Sequence, residues 1–277
     1  MAKRAKSHTF EYEIVGELLQ ATVVTLEPGA SIVGAPGAML FMESGITMDT
    51  GLTTHTEDPG VVGSVVEAAK RKIAGDAFFV TRFVNESKKR AQLSFAAPYP
   101  GQVVDFELDE LPEGIVLQRA AFLCGSRDVD FEIVFQKRVL AGIFGGEGFI
   151  LQRVTSKQAG SLALAHACGS ILQRELGKKD SLRVDTGCLV AYEPSVQFDV
   201  ELVSGVKNMV LGAHGPFLAT LNGPGRVWLQ TMPFTRLASR VWEAAPQSAQ
   251  VGKGDGKEES GIVGRVWKRA TGSDKKG

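Results

Sequence analysis

The side chains best suited to catalysis or metal binding are few and scattered in this sequence. The four histidines are His8, His55, His166 and His214, and none stands in the HxH or HExxH spacing that brings two imidazoles to one metal ion. A catalytic triad needs a nucleophile, a base and an orienting acid that converge in space, and no motif here indicates such a set. We therefore predict no catalytic residue, no metal site and no cofactor, and a protein that is not an enzyme. His166 stands among small residues in a strand-like stretch, where we expect a hydrogen-bonded structural histidine.

The three cysteines are Cys124, Cys168 and Cys188, and each lies in an apolar stretch. No pair has the CxxC spacing of a zinc site or a redox centre. A sparse, odd set of cysteines in 277 residues is typical of reduced thiols in a cytosol-like compartment. We predict small buried side chains rather than a disulfide framework.

A glycine-rich segment at residues 142–148 superficially resembles a phosphate-binding loop. Such a loop runs from a strand into a helix, and its backbone N–H groups hold the anion. Here the strand-like residues 149–154 follow, and no lysine stands where a Walker A loop requires one. We predict a tight turn that enters a strand, with an anion site as the alternative.

Composition excludes several classes of protein. The chain has 31 basic and 31 acidic residues, so its bulk charge favours neither nucleic acid nor an acidic partner. No apolar run approaches the ~18 residues that a membrane-spanning helix needs. Hydrophobic residues make up 44% of the chain, which is enough for a sizeable core.

Alternation of apolar and polar residues predicts that the elements are mainly β-strands. The clearest examples are residues 18–26, 78–84, 129–135 and 196–203. Many short strands at close spacing are typical of an all-β sandwich or barrel. Two helices are also predicted: an inserted one at residues 61–73, with apolar residues at helical spacing, and a short C-terminal one after Phe234.

Self-comparison of the sequence indicates an internal repeat. Three elements recur in the same order at intervals of roughly 65 to 85 residues, and they predict three β units at residues 10–105, 106–172 and 173–245. The first unit contains the stretch from Pro36 to Phe41. Each unit would have an apolar face that it cannot bury alone, so we expect the units to pack together.

Both ends of the chain differ from this domain. Residues 1–9 form a basic segment that we predict to be a flexible arm, and residues 246–277 a flexible polar tail. The tail contains an apolar and basic island with a tryptophan suited to anchor a partner. The candidate partner contacts are Ile262, Val263, Val266, Trp267, Lys268 and Arg269; the alternative is a frayed end.

Several glycine turns in a fixed order resemble a known family. The matching segments are residues 37–39, 145–149, 184–187 and 223–231, and the resemblance spans about residues 10–242. The sequence resembles the altered-inheritance-of-mitochondria family numbered twenty-four. It departs from the family pattern at residues 212–216, where a second Gly-Gly-Glu-Gly would be favoured.

This resemblance implies a β fold similar to the tryptophan RNA-binding attenuation protein, a TRAP-like β-sandwich duplicated within one chain. It also implies a prokaryotic-type member without an established enzyme activity, whereas eukaryotic members are linked to the organisation of the mitochondrial inner membrane. RNA binding does not follow from the fold, because a fold does not fix a function.

The leading interpretation is a non-enzymatic scaffold or interaction protein, cytoplasmic or peripheral to a membrane or a stress-response assembly. Its expected partners are another protein, a further copy of itself or a membrane surface, and not nucleic acid. A further copy is expected because exposed β edges must be covered or paired. The alternative is a small-ligand or anion-binding module with a pocket between β repeats. An enzyme would need a cluster of histidine, aspartate and cysteine to form in the fold.

Overall fold

A computed structural model describes residues 3–6, 10–52, 79–137, 149–202 and 217–245. The predicted helix at residues 61–73, the glycine-rich segment 142–148, the family departure at 212–216 and the tail 246–277 lie outside these ranges. The chain divides into a unit at residues 1–235 and a second unit at residues 236–277. Of the second unit, only residues 236–245 are described.

The described residues consist mostly of short antiparallel strands. Two strands open the chain: β1 (Lys3–Lys6) and β2 (Phe10–Val15). The next eighteen fall into three successive strand groups. The first group contains β3 (Ala21–Leu26), β4 (Ser31–Gly34), β5 (Met39–Met42), β6 (Ile46–Leu52), β7 (Phe79–Asn85) and β8 (Ala91–Ala96). The second contains β9 (Gly101–Glu107), β10 (Ile115–Gln118), β11 (Phe122–Ser126), β12 (Asp130–Lys137), β13 (Phe149–Thr155) and β14 (Leu162–Cys168). The third contains β15 (Ile171–Leu176), β16 (Ser181–Asp185), β17 (Leu189–Tyr192), β18 (Gln197–Leu202), β19 (Phe217–Asn222) and β20 (Gly225–Gln230).

Each strand group has the same internal pairing. The first strand of a group pairs with the last, the last with the third, the fourth with the fifth, and the fifth with the second. The second group pairs in this order as β9·β14, β14·β11, β12·β13 and β13·β10. The third group does so as β15·β20, β20·β17, β18·β19 and β19·β16. The strands of a group are therefore divided between two sheets.

Two further pairings join consecutive groups. β4 of the first group pairs with β11 of the second, and β10 of the second pairs with β17 of the third. Each junction produces a six-stranded sheet, in the orders β6-β7-β4-β11-β14-β9 and β12-β13-β10-β17-β20-β15. The remaining described strands form a five-stranded sheet, β1-β2-β3-β8-β5, and a three-stranded sheet, β18-β19-β16.

Apolar side chains at every second position bury one face of these strands. β2 alternates strictly between buried and half-buried residues, and β3 does the same in the opposite phase. The described core contains three hydrophobic clusters, marked by edge-to-face aromatic pairs. Their ring centroids lie 5.3 Å apart for Phe83 and Phe95, and 5.0 Å apart for Phe106 and Trp228. In the third cluster, Phe135 and Phe198 are 5.0 Å apart.

The structure confirms the predicted all-β fold and the short C-terminal helix. That helix, α1, covers Phe234–Ala244. The strands predicted at residues 18–26, 78–84, 129–135 and 196–203 correspond to β3, β7, β12 and β18. Residues 3–6 of the predicted basic arm form β1, which pairs with β2. The predicted unit boundaries after residues 105 and 172 fall inside β9 and β15, so the strand groups begin a few residues earlier than those boundaries.

Candidate interaction edges

The most conspicuous surface of the described residues is the outer edge of β5. Its side chains at Leu40, Phe41 and Met42 are 61%, 41% and 37% exposed. β5 pairs with β8 on one side, and no described strand pairs with its other side. An unpaired strand edge presents free N–H and C=O groups to solvent, and apolar side chains on it favour association with another strand.

The counterparts of β5 in the other two groups are buried. β11 and β17 hold the corresponding place in the pairing order, and all their residues are buried. The cause is the junction: β4 covers the outer edge of β11, and β10 covers that of β17. The exposure of β5 therefore reflects a missing neighbouring strand rather than a different sequence character.

A second open edge lies on β16. This strand is the counterpart of β4 and β10, which are buried almost throughout, yet Ser181 and Arg183 are exposed. Arg183 forms an ion pair with Glu201 at 3.4 Å, and both side chains are largely exposed. Among the described strands, only β19 pairs with β16. One edge of each junction type is thus open in the part of the chain that the structure describes.

Side-chain amides also join consecutive groups. The Gln20 Oε1 atom accepts a hydrogen bond from the Val103 backbone N–H at 2.7 Å. The Gln102 Oε1 atom accepts one from the Ile171 backbone N–H at 2.8 Å. Gln20 directly precedes β3, and Gln102 is the second residue of β9. The two N–H donors, Val103 and Ile171, lie at the start of β9 and β15, the first strand of the next group in each case. Beside these contacts, Gly101 forms two isolated parallel β-bridges, one with Leu19 and one with Gly169.

The structure does not describe the predicted interaction residues of the tail. Ile262, Val263, Val266, Trp267, Lys268 and Arg269 lie outside the described residues. The exposed edge of β5 was not predicted as a site, although the stretch from Pro36 to Phe41 was noted as a recurring element within the first unit. The feature that could have indicated it is the run from Met39 to Met42, four large apolar residues in one short strand. The sequence alone does not show which strand would pair with it.

Two buried residues on β14, His166 and Cys168, are of the types that form a cysteine–histidine nucleophile. The Tyr99 ring packs edge-to-face on His166, with centroids 5.1 Å apart, and lies in a stack with Phe234. Burial lowers the pKa of His166 to about 4 and raises the pKa of the Cys168 thiol. A nucleophilic cysteine with a histidine base needs a stabilised thiolate, and burial here favours the neutral form of both groups. Both side chains lie buried within the sheet.

His166 differs from the sequence prediction in one respect. It lies buried in a strand, as expected, but its Nδ1 atom has no hydrogen-bond partner within the described structure. The prediction of a hydrogen-bonded histidine is wrong for this atom, and the ring packs against the Tyr99 ring instead. Cys124 and Cys168 are buried free thiols, as predicted, and Cys188 is half-buried.

The described ranges contain neither a metal-binding cluster nor a membrane-spanning helix. No group of three or more histidine, cysteine, aspartate or glutamate side chains stands close enough there to hold a metal ion. None of the helices in those ranges has the length and apolarity required to cross a bilayer.

Fold and edges together define an all-β protein of serially joined antiparallel strand groups. Residues 12–232 match the family described as mitochondrial biogenesis AIM24. This match spans most of the chain, and the chain belongs to that family, which confirms the resemblance found in the sequence.

Two proteins from Streptococcus pyogenes are similar to this chain. It is 25% identical over 227 residues to an uncharacterized protein of serotype M6, covering 82% of this chain and 87% of the relative. A crystal structure of an S. pyogenes protein, determined by a structural genomics consortium, is similar with a TM-score of 0.67 and 21% identity. The similarity covers 85% of this chain and 100% of that one, and it establishes the fold alone.

Proposed function

We propose that this chain is a non-enzymatic scaffold or interaction protein that acts through its open sheet edges. The observation that carries the proposal is the exposed apolar edge of β5, at Leu40, Phe41 and Met42. A soluble fold normally protects such an edge with charges, proline, a bulge or a covering element. An edge left apolar and unpaired is suited to receive a strand from a partner by β-augmentation.

The scaffold would consist of three copies of one module, corresponding to the three strand groups. Support comes from the shared order of pairing within the groups and from the two junctions of one type. Modules that each bury an apolar face against a neighbour form a stack in which only the terminal faces stay open. The proposed interaction site is therefore a consequence of the modular arrangement.

The absence of enzyme activity is part of the proposal. It is supported by the electrostatics of the His166 and Cys168 pair, where burial disfavours the charged forms that nucleophilic catalysis requires. The buried Cys124 thiol points the same way, because desolvation raises its pKa.

The proposed partners are protein strands, with a membrane surface as a second contact through the tail residues Ile262 to Arg269. The proposed location is the cytoplasm or the cytoplasmic face of a membrane. Balanced charge, with 31 basic and 31 acidic residues, favours protein partners over nucleic acid. The tail contact is separable: removal of residues 261–277 should reduce capture by anionic liposomes while leaving contacts at β5 unchanged.

The test of the interaction role uses cross-linking in the native host followed by identification of the cross-linked proteins. Three forms of the full chain are compared: wild type, Phe41→Lys, and the matched control Leu172→Lys. Leu172 is 49% exposed on β15, an outer strand of its sheet, so the control adds the same charge to an apolar edge residue elsewhere. We expect a defined set of partners that Phe41→Lys loses and Leu172→Lys keeps.

Two results would overturn the proposal. One is a partner set that is the same for all three forms, since the β5 edge would then be irrelevant. The other is a catalysed conversion of a small molecule by the purified wild type that the removal of a described side chain abolishes.

A further inference from the structure

The two junctions between strand groups share one register. In the first, Gly34 of β4 lies opposite Cys124 of β11; in the second, Leu117 of β10 lies opposite Ala191 of β17. One step along, Val33 lies opposite Gly125, and Val116 lies opposite Tyr192. The junction is therefore a repeated, specific pairing and not merely a contact between sheets.

The same positions can be located on the two open strands. Gly34 and Leu117 each lie five residues before the strand that follows, β5 and β11, and Val184 of β16 lies five residues before β17. Cys124 and Ala191 are each the third residue of their strand, and Phe41 is the third residue of β5. A third junction of this type would place Phe41 opposite Val184 and Met42 opposite Arg183.

We infer that β5 of one copy of this chain pairs antiparallel with β16 of a second copy, with Phe41 opposite Val184. This inference rests on the proposed function and names its partner. Among the described strands, β16 is the counterpart of β4 and β10 that lacks a neighbour on one side, and β19 is its single partner there. The strand complementary to the β5 edge is therefore supplied by another molecule.

Hydrogen-bond directions on β5 suit this pairing. The Glu43 backbone N–H donates to the Gln92 carbonyl in β8 at 2.8 Å. Because successive N–H groups of a strand point to opposite sides, the Met42 N–H points toward the open edge. Its counterpart in the first junction is Gly125, opposite Val33, so the Met42 N–H would donate to the Arg183 carbonyl of the second copy.

The first junction also identifies the pair best suited to cross-linking. The Ala35 N–H donates to the Leu123 carbonyl at 2.8 Å, so Gly34 and Cys124, between these two groups, form a non-hydrogen-bonded pair. Opposed Cα atoms in such a pair lie ~4.5 Å apart, within the range that a disulfide spans. Phe41 and Val184 would occupy the same kind of position.

Pairing of two different edges is heterologous. Each added copy presents a new β5 edge at one end and a new β16 edge at the other, so assembly continues until a ring closes or a filament grows. The number of copies depends on the rotation between neighbours.

The test mixes two variants of the full chain under mild oxidation, Phe41→Cys and Val184→Cys, each of which adds one cysteine to the native Cys124, Cys168 and Cys188. We expect a disulfide-linked pair in the mixture and none in either variant alone. The control mixture pairs Phe41→Cys with Ser181→Cys, which lies on the same open strand three positions out of register. The double variant Phe41→Cys/Val184→Cys should form a ladder of covalently linked chains.

Three outcomes would overturn the inference: no cross-link in the mixture, equal cross-linking in the control, or a double variant that closes only within one chain. A variant that introduces no cysteine gives an independent measurement of assembly. Met42→Pro removes the outward N–H, should leave the thermal unfolding transition intact, and should reduce the assembled fraction at least tenfold. If wild type stays monomeric while β5-dependent capture of a different host protein persists, this inference fails and the proposed function survives; if both are absent, both fail.

Discussion

Gln20 and Gln102 make the same hydrogen bond at successive positions along the chain. Each side-chain oxygen accepts from a backbone N–H of the next strand group, at 2.7 Å from Val103 and 2.8 Å from Ile171. A serine, Ser170, precedes Ile171 at the start of the third group, so the series of glutamines ends where the chain has no further described group. The two contacts connect consecutive groups in addition to the strand junctions.

Replacement of either glutamine by alanine should weaken the contact between groups. Loss of the acceptor leaves a half-buried backbone N–H without its partner, at a cost of about 1–2 kcal/mol in the free energy of unfolding. We expect Gln20→Ala and Gln102→Ala to destabilise the protein similarly in urea unfolding. The control is Gln92→Ala, which removes an exposed hydrogen bond to Thr25 and should cost less than about 0.5 kcal/mol. A control as destabilising as the two test variants would contradict this role.

A second prediction concerns Tyr12, which links β2 to β9. Its hydroxyl donates to the Asp105 carboxylate at 2.5 Å, and burial together with this carboxylate raises the pKa of Tyr12. Tyr12→Phe removes a donor from a charged acceptor, so we expect a loss of about 1–3 kcal/mol in the free energy of unfolding. Tyr99→Phe is the matched control, because no hydrogen bond to its hydroxyl is present in the described ranges. Equal stability of wild type and Tyr12→Phe would show that the bond contributes nothing.

Stability should depend on pH through His166. Burial lowers its pKa to about 4 from an ordinary value of 6.5, so between these values the unfolded chain binds a proton that the folded chain does not. This contribution to stability is complete above pH 6.5 and is lost as the pH falls toward 4, on the order of 3 kcal/mol in total. His166→Gln, which does not titrate, should therefore show a shallower decline in denaturant unfolding between pH 7 and pH 4.5. Parallel curves for the two proteins would contradict the assignment.

Periodicity in the sequence predicts the strands well because burial on one face imposes a period of two. β3, β7, β12 and β18 were found where alternation predicts them, and α1 begins at Phe234. The open edges were not predictable in this way. Met39 to Met42 has the apolar character of β11 and β17, and only the pairing in three dimensions distinguishes a covered strand from an uncovered one.

Burial of His166 without an Nδ1 partner was likewise beyond the sequence. A strand of small residues predicts close packing, but it does not specify which polar atoms its neighbours supply. The amide contacts of Gln20 and Gln102 depend on groups more than 60 residues distant in the chain, and such contacts follow from topology rather than from local pattern.

The central claim is that the β5 edge pairs with a second copy of this chain, and the mass of the protein in solution tests it most directly. Sedimentation equilibrium of the full chain over a hundredfold range of concentration should show assembly of wild type and of Leu172→Lys, with Phe41→Lys and Met42→Pro shifted to the monomer. A wild type that remains monomeric throughout, or edge variants that assemble as wild type does, would contradict the account of how this edge recruits a second copy.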